Sequence, residues 1–195
     1  NKDLEPIGIG VGAPNGNYFN GTIEFAPNLE WKGIVDLVEL FEDHFDLPVF
    51  VTNDANAAAI GEMMFGKTKG VLDFLMVTLG TGLGSGFVTN GELIYGHDGF
   101  AGELGHVVIE PNGRSCNCGH NGCLETYASA TGLVTTAQEL IKENSKKTIM
   151  NPDNLTSKSI AEAAENGDEL ALECFDFTAD KLAHGLSIAI AISSV

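Results

Sequence analysis

The clustering of the cysteines constrains the fold of this chain more than any other feature. Three of the four cysteines stand within eight positions, at Cys116, Cys118 and Cys123. Such tight spacing does not suit a spread disulfide framework and is typical of a metal-binding loop, because Zn²⁺ prefers a tetrahedron of sulfur and nitrogen ligands. Gly119 and Gly122 would let the loop curl so that three sulfur atoms face one point. The alternative is a turn that carries three reduced cysteines.

The spacing leaves the fourth ligand of such a site open. His120 lies inside the loop, whereas His106 precedes it on a predicted strand and could join the loop to the sheet. Four protein ligands would make the zinc structural, because a catalytic zinc keeps one position open. Cys174 lies in a helical stretch, and we expect it to be an inert core residue.

A tight cysteine cluster of this kind suits a metal site in a reducing compartment, so we expect the protein to be cytoplasmic.

The chain of 195 residues has 27 acidic and 10 basic residues, which gives a net charge of −17, and Arg114 is its one arginine. Duplex DNA and anionic membranes attract clustered cations, so this charge argues against both as partners. No uncharged apolar run approaches the roughly 18 residues that a membrane span requires.

Hydrophobic periodicity predicts mainly strands early in the chain and mainly helices later. The expected strands cover 6–14, 47–52, 71–79, 83–89, 92–95 and 104–110. The expected helices begin at residue 31 and cover 55–65, 133–143, 159–166 and 169–192. Asn90-Gly91 indicates a hairpin, residues 15–28 a loop or an irregular hairpin, and Thr156 or Ser157 a helix cap.

Residues 80–86 (GTGLGSG) form a glycine loop between two apolar strands. Such a turn exposes successive backbone N–H groups, and Thr81 adds a hydroxyl donor, so the loop is a candidate phosphate cradle. A glycine-rich β-turn without a ligand would look the same. No Gly-Lys-Ser/Thr follows, so the loop is not a P-loop. A strand rather than a helix comes next, which does not fit the dinucleotide-binding fingerprint.

Asn53 and Asp54 come where a buried strand meets a helix, a position at which open α/β folds bind ligands. Asp54 could be a general base for a hydroxyl, or the N-cap of the following helix, worth about 1 kcal/mol. Glu103, His106 and Glu125 could face the same cleft if a metal folds the cysteine loop back. Exposed acidic residues are common, so each of these acidic residues, taken alone, is more typical of a surface residue than of a functional site.

Four motifs, taken in order, resemble the sugar kinases of the ROK family (repressors, open reading frames and kinases). They are Asn53-Asp-Ala-Asn56, Leu79-Gly-Thr-Gly-Leu-Gly-Ser-Gly86, Gly102-Glu-Leu-Gly-His106 and Cys116-x-Cys-Gly-x-x-Gly-Cys-Leu-Glu125. Segments 10–14 and 26–31 also look like the family's pattern, so the resemblance covers nearly the full chain. It implies an incomplete α/β, actin-like (ribonuclease-H-like) two-lobed fold. Residues 1–53 would belong to the small N-terminal lobe and 54–195 to the larger C-terminal lobe, with a zinc loop at 106–123.

The resemblance also implies an activity, which is the ATP-dependent phosphorylation of a hexose in carbohydrate metabolism (glycolysis). Glucose comes first, giving glucose 6-phosphate, with N-acetylmannosamine, N-acetylglucosamine and fructose as alternatives. Mg²⁺ would accompany ATP. Homo-oligomers, as dimers or tetramers, are usual in such a family.

The implied roles carry over position by position. Asp54 matches the catalytic base that takes the proton from the attacking sugar hydroxyl. The sugar-contacting positions match Asn28, Asn53, Glu103, His106 and Glu125. The second phosphate motif matches Gly80, Thr81 and Gly82. The zinc ligands match His106, Cys116, Cys118 and Cys123, which favours His106 over His120.

Two parts of the family's pattern are missing from this sequence. One is a first phosphate motif of the Asp-x-Gly-x-Thr type, and the other is a Gly-Gly adenosine motif after the last helix. We therefore expect a chain truncated at both ends, which alone binds sugar weakly and phosphorylates nothing. The alternatives are a sugar-responsive transcriptional repressor of the same family and a zinc-holding structural piece without activity.

Overall fold

The described strands all lie within residues 9–93, and four of the six α-helices follow residue 124, so strands come mainly first and helices mainly later, as predicted. The computed structural model describes residues 5–26, 29–143 and 146–195. Its strands are β1 (Ile9–Ala13), β2 (Gly16–Asn17), β3 (Thr22–Glu24), β4 (Ile34–Asp36), β5 (Val49–Asn53), β6 (Phe74–Leu79), β7 (Leu83–Thr89) and β8 (Glu92–Leu93). Its α-helices are α1 (Leu37–Glu42), α2 (Asp54–Phe65), α3 (Glu125–Ala128), α4 (Ala130–Glu143), α5 (Ser157–Glu165) and α6 (Glu169–Ser193).

The chain divides into two compact units. Residues up to 77, 85–103 and 195 form unit 1, and residues 78–84 and 104–194 form unit 2. The chain passes between the units within β6 and β7, so the tip of that hairpin belongs to unit 2. The lobe boundary between residues 53 and 54 refers to the whole two-lobed protein and stays a prediction.

In unit 1, β1 and β5 pair in parallel, from Ile9 beside Val49 to Ala13 beside Asn53. Aliphatic residues alternate with other residues along both strands, and Val49 and Val51 of β5 are buried while Phe50 between them is exposed. Because the pair is parallel, the carboxyl ends of both strands lie side by side, and β5 runs directly into α2. The core of this unit contains Ala13, Ile23, Ala26, Leu37 and Val51.

The helix predicted from residue 31 is wrong in its first part. Residues 34–36 form β4, which pairs antiparallel with β3, and the helix α1 begins at Leu37. Gly33 has a φ of 83°, which a right-handed helix does not contain. Asp36 then caps α1 by accepting the Glu39 N–H at 3.0 Å. The apolar spacing crossed this glycine, and that caused the error.

Two hairpins follow the predictions. Within residues 15–26, β2 and β3 pair antiparallel with Gly16 opposite Ile23. In the sheet ordered β6-β7-β8, Asn90 and Gly91 connect β7 to β8 with φ values of 52° and 77°. Two consecutive positive φ values are those of the type I′ turn that a two-residue hairpin favours.

The strand predicted over 104–110 is wrong. Leu104–His106 form a 3-10 turn, closed where the Val107 N–H donates to the Leu104 carbonyl at 3.1 Å. Beyond it, Val108 makes a single isolated bridge to Cys123. The residues that would continue the strand find their partners in the cysteine loop, so the segment follows that loop instead of a sheet.

Unit 2 has a helical core, formed by Leu133, Ala137, Met150, Ile160, Ala163, Leu170, Ala171 and Cys174. Thr156 caps α5 in a capping box with Ser159, which decides between the two predicted caps. Cys174 is fully buried in this core, as predicted. Among the helices described, none combines the length and the apolar character that crossing a membrane requires.

Candidate functional site

The cysteine loop folds back on itself between the 3-10 turn and α3. Its two halves are joined by two isolated antiparallel bridges, Val108 with Cys123 and Ser115 with Asn121. In the second half of the loop, Gly122 has a φ of 81°, and a Cβ on this residue would overlap the carbonyl oxygen of Glu110. Glycine is therefore required at this position, both for its conformation and for the close approach of the two halves.

The loop brings the four predicted ligands together. The ligand atoms of His106, Cys116, Cys118 and Cys123 all lie within 4.8 Å of one another. Nδ1 of His106 is 3.6 Å from Sγ of Cys116, and the sulfur atoms of Cys118 and Cys123 are also 3.6 Å apart. Zn–S bonds of about 2.3 Å in a tetrahedron place neighbouring sulfur atoms about 3.8 Å apart. This set can hold a metal ion.

His120 occupies a different place. Its Nδ1 lies 3.4 Å from Sγ of Cys118, the exposed member of the cluster. The histidine nitrogen that belongs to the mutually close set is that of His106. The geometry therefore favours His106 as the fourth ligand, although the spacing alone left the choice open.

The thiols of the cluster differ in acidity. Burial raises the pKa of Cys116 and of Cys123. Burial acts in the same direction on Cys118, but hydrogen bonds from the His120 backbone N–H and from neighbouring side chains outweigh it and lower its pKa to about 6. Cys118 is therefore the thiol of the cluster that ionises most readily. Metal binding requires thiolates, so Cys118 is the thiol of the cluster best prepared for it. By contrast, burial raises the pKa of Cys174 in the helical core to about 11.

The glycine loop is fastened to the helices of unit 2 through its carbonyl groups. The Ala130 N–H donates to the Gly80 carbonyl at 2.9 Å, and the Thr131 hydroxyl donates to the Thr81 carbonyl at 2.8 Å. Both donors stand at the beginning of α4. Because these bonds hold the carbonyl groups, the backbone of the loop has a defined conformation with the Thr81 residue exposed. Sequence reasoning missed Ala130 and Thr131, since neither belongs to a recognisable motif.

Glu125 lies between the glycine loop and the metal cluster. Its Oε2 accepts the Leu83 N–H at 3.3 Å. Its Oε1 is 3.3 Å from Sγ of Cys116 and 3.9 Å from Nδ1 of His106. A Cβ on Gly82 would lie 2.5 Å from Oε2, which is too close for an ordinary contact. The loop can approach this carboxylate because Gly82 has no side chain. The carboxylate thus joins two of the predicted site elements.

In unit 1, Asn53 and Asp54 stand at the junction of β5 and α2. Asn53 is the N-cap of α2, and its Oδ1 accepts the Ala55 N–H at 2.8 Å. The alternative of Asp54 as the N-cap is therefore wrong. Asp54 is the first helical residue and is exposed, so its carboxylate is presented at the carboxyl end of a parallel strand.

The remaining predicted sugar ligands divide between the two units. Glu103 is an exposed residue of unit 1, and it follows Gly102, whose carbonyl accepts the Ser85 hydroxyl. His106 and Glu125 belong to unit 2. Asn28 lies outside the described residues.

A second group that sequence reasoning missed supports the cysteine loop. Arg114 directs its guanidinium to the Thr126 carbonyl at 2.8 Å and to Oγ1 of Thr136 at 2.9 Å, and it pairs with Glu139. These partners belong to α3 and α4. The sequence signal was present, because a single arginine beside a metal loop in so acidic a chain indicates a specific contact.

Comparison with known proteins gives a family match over nearly the whole chain. The profile described as ROK family matches residues 2–195. A glucokinase from Halalkalibacterium halodurans is 42% identical over 191 residues, which are 95% of this chain and 56% of that protein. A xylose repressor from Caldicellulosiruptor bescii is 36% identical over 185 residues, which are 93% of this chain and 46% of that protein. The chain thus spans about half the length of the curated relatives it matches.

A solved structure agrees with this match. The crystal structure of a ROK family glucokinase from Streptomyces griseus, in complex with glucose and AMPPNP, superposes with a TM-score of 0.85 at 35% identity. The superposition covers 99% of this chain and 64% of that one. The predicted α/β, actin-like sugar kinase fold, present here in part, is confirmed.

Proposed function

Because the chain belongs to the ROK family, we propose that the whole protein transfers a phosphoryl group from ATP to a hexose, with glucose as the first candidate. The observation that carries this proposal is the position of Glu125. Its carboxylate contacts both the glycine loop and the cluster that contains His106. The proposed nucleotide loop and the proposed sugar ligand His106 would then share one scaffold within unit 2, which suits a kinase that brings two substrates together.

Asp54 is the proposed catalytic base. Its exposed carboxylate would accept the proton of the sugar hydroxyl while that oxygen forms a bond to the γ-phosphorus of ATP. The bond from this phosphorus to the bridging oxygen breaks, and ADP leaves with Mg²⁺. Catalysis of this kind depends mostly on positioning and charge neutralisation, so one well-placed carboxylate is a sufficient chemical group.

The glycine loop is the proposed phosphate site, through Gly80, Thr81 and Gly82. A chain with a net charge of −17 cannot hold ATP by bulk attraction. Backbone N–H groups and the Thr81 hydroxyl would therefore act locally, together with the Mg²⁺ that the nucleotide brings. The two helix contacts at Gly80 and Thr81 favour this role, because a fixed loop is already arranged for its ligand.

The proposed sugar ligands are side chains that recognise hydroxyl groups, namely Asn28, Asn53, Glu103, His106 and Glu125. Ionised carboxylates accept hydrogen bonds from hydroxyl groups strongly, and the acidic character of the chain suits an uncharged polyol. Which hexose fits is left to the experiment, since glucose, fructose and the N-acetylhexosamines present similar hydroxyl groups.

Zinc is the proposed occupant of the cysteine cluster, held by His106, Cys116, Cys118 and Cys123. The chemistry of the donor set and the two spacings of 3.6 Å fit this ion. Bound zinc would be structural, because the protein supplies all four ligands. The cluster faces Nδ1 of His106, so the opposite ring nitrogen would be oriented toward a sugar hydroxyl.

The direct test of this function is a panel of hexoses with Mg-ATP and the whole protein. We expect phosphorylation of glucose above the other sugars, measured as ADP release and as hexose phosphate. Absence of phosphoryl transfer to every hexose, in protein that is folded and loaded with zinc, would contradict the proposal.

A sugar-responsive repressor is the second candidate, and the 36% identity to a xylose repressor favours it. Such a protein would carry a basic helix-turn-helix domain ahead of this chain, whereas a kinase would carry a first phosphate motif there. The residues that precede Asn1 in the whole protein distinguish the two. The charge of −17 within this chain favours the kinase.

We also propose a cytoplasmic homo-oligomer, either a dimer or a tetramer. Four free cysteines suit a reducing compartment. Light scattering of the whole protein measures the oligomeric state, and a monomer across the working concentration range would refute this part of the account.

A further inference from the structure

The glycine loop is held at three points, and the third differs from the other two. At the first two points, residues of α4 donate to loop carbonyl groups. At the third, the loop donates, because the Leu83 N–H points to Oε2 of Glu125 at 3.3 Å. Glu125 is the first residue of α3 and follows the cysteine cluster directly. The loop therefore depends on the same carboxylate that faces the metal ligands.

We propose that Glu125 is a positioning residue for nucleotide binding: its Oε2 fixes the glycine loop through the Leu83 N–H, in addition to its proposed contact with sugar. This inference rests on the proposed function, since it assigns the glycine loop to ATP. It goes beyond that function because it makes one side chain serve both substrates.

The local geometry supports a positioning role. The side chain of Glu125 is 23% exposed, so its bond to Leu83 is partly shielded from water and is worth more than a surface contact. Leu83 itself is a buried residue at the start of β7. Anchoring its N–H fixes the point at which the flexible glycine run enters the sheet.

The glycines make such an anchor necessary. Gly80 and Gly82 both lie in the turn before β7, and each loses much conformational freedom when that turn adopts one structure. Gly82 packs so closely on Oε2 that a Cβ there would lie 2.5 Å away. The loop and the carboxylate therefore fit against one another, and a change at Glu125 would release the loop.

The carboxylate has two oxygens with two different neighbourhoods. Oε2 faces the glycine loop, and Oε1 faces Cys116 and His106. Sugar would meet Glu125 on the side of His106, whereas ATP would depend on the side of Leu83. Because both contacts belong to one rigid group, an ordered loop favours the orientation of Glu125 that sugar requires, and the affinities for the two substrates are coupled.

The test measures the affinity of the whole protein for Mg-AMPPNP by calorimetry without any sugar. A residue that contacts only sugar would not change this affinity. We expect Glu125→Ala to weaken it about fivefold, which corresponds to the loss of one hydrogen bond of about 1 kcal/mol. We expect Glu125→Gln to remain within about twofold of the wild type, because its amide oxygen still accepts the Leu83 N–H. The matched control is Glu110→Ala, which removes a carboxylate of unit 2 that pairs with Lys181.

Hydrogen exchange at the Leu83 amide is the second measurement, and it does not depend on nucleotide. Exchange should be faster in Glu125→Ala than in the wild type and in Glu125→Gln. If Glu125→Ala does not fold, Glu125→Met replaces it, since it fills the volume without an acceptor. Unchanged nucleotide affinity and unchanged exchange in the folded variant would overturn the inference. Wild-type protein that does not bind Mg-AMPPNP would instead refute the proposed function, and the exchange rate would still report on the contact.

Discussion

The guanidinium of Arg114 lies over the ring of Tyr127, with Cζ 4.6 Å from the ring centroid, while the Tyr127 hydroxyl accepts the Arg114 backbone N–H at 2.9 Å. Lys181 approaches the same ring, with Nζ 5.4 Å from the centroid. These contacts join the cysteine loop to α3 and α6, so the loop is supported by packing as well as by its proposed metal.

The first prediction concerns this support. Arg114→Lys keeps the charge but loses the planar fork that reaches several acceptors, so we expect the free energy of unfolding to fall by about 2 kcal/mol. Urea denaturation measures it. Lys158→Ala is the control, because Lys158 pairs with Glu162 on an exposed helix face and should cost less than about 0.5 kcal/mol. Equal effects of the two substitutions would contradict the assignment.

The second prediction concerns the fold of the cysteine loop. Gly122 and Gly119 both have positive φ, at 81° and 93°. A Cβ on Gly122 would overlap the Glu110 carbonyl, whereas a Cβ on Gly119 would meet nothing within 4 Å. We therefore expect Gly119→Ala to cost about 1 kcal/mol of backbone strain and Gly122→Ala to cost clearly more. Metal content and denaturation of the two variants measure the difference, and equal losses would show that steric overlap plays no part.

The third prediction concerns zinc. Metal analysis of the protein purified without chelator should find about one zinc per chain, as four protein ligands require. Cys118→Ser should lower that content, because serine is a poor ligand for zinc. Cys174→Ala removes a cysteine from the helical core and should leave it unchanged. A fully folded, metal-free wild-type chain would refute the zinc assignment.

Much of this site could be predicted from residue type and order, because the residue types that a metal site or a ligand site needs stand close together in short motifs. The three cysteines and their glycines indicated a metal loop, and β5 followed by Asp54 indicated a ligand position. What could not be predicted depends on contacts between distant residues. The bond between Leu83 and Glu125 spans 42 positions, and no local pattern encodes it.

Pairing with other segments of the chain explains the two errors in secondary structure. The helix expected from residue 31 was overridden by the pairing of β4 with β3, a tertiary contact that apolar spacing does not reveal. The segment expected as a strand at 104–110 pairs with the cysteine loop instead of a sheet. Val108 forms a bridge with Cys123, and the Ile109 N–H donates to the Gly122 carbonyl. Both errors concern segments whose backbone pairs with another segment of the chain, and apolar spacing along one segment does not reveal such pairing.

The fourth prediction concerns pH. Burial opposes ionisation of Asp168, but hydrogen bonds from the Ile149, Ala171 and Leu170 N–H groups and the Thr148 hydroxyl outweigh it and lower its pKa. A lowered folded-state pKa contributes stability that is present above the ordinary value of 3.8 and is lost as the pH falls through the folded value.

We therefore expect wild-type protein to exceed Asp168→Asn in stability at pH 7 by about 1 kcal/mol, and the difference to shrink below about pH 4. Urea denaturation across this pH range measures it. The control is Asp153→Asn, at an exposed residue of the Pro152–Asn154 turn, whose difference should stay near zero throughout. A gap between wild type and Asp168→Asn that grows on acidification would contradict this sign.

Asp54 is the proposed base of a hexose kinase, and the turnover of Asp54→Ala in the whole protein shows whether its carboxylate takes part in phosphoryl transfer. The matched control is Asp153→Ala, an exposed acid far along the chain in unit 2. We predict that Asp54→Ala lowers kcat for hexose phosphorylation by about 10²–10⁴-fold, the usual contribution of a general base, while hexose binding persists and the control turns over normally. Near-normal turnover of Asp54→Ala would show that this carboxylate is not the catalytic base.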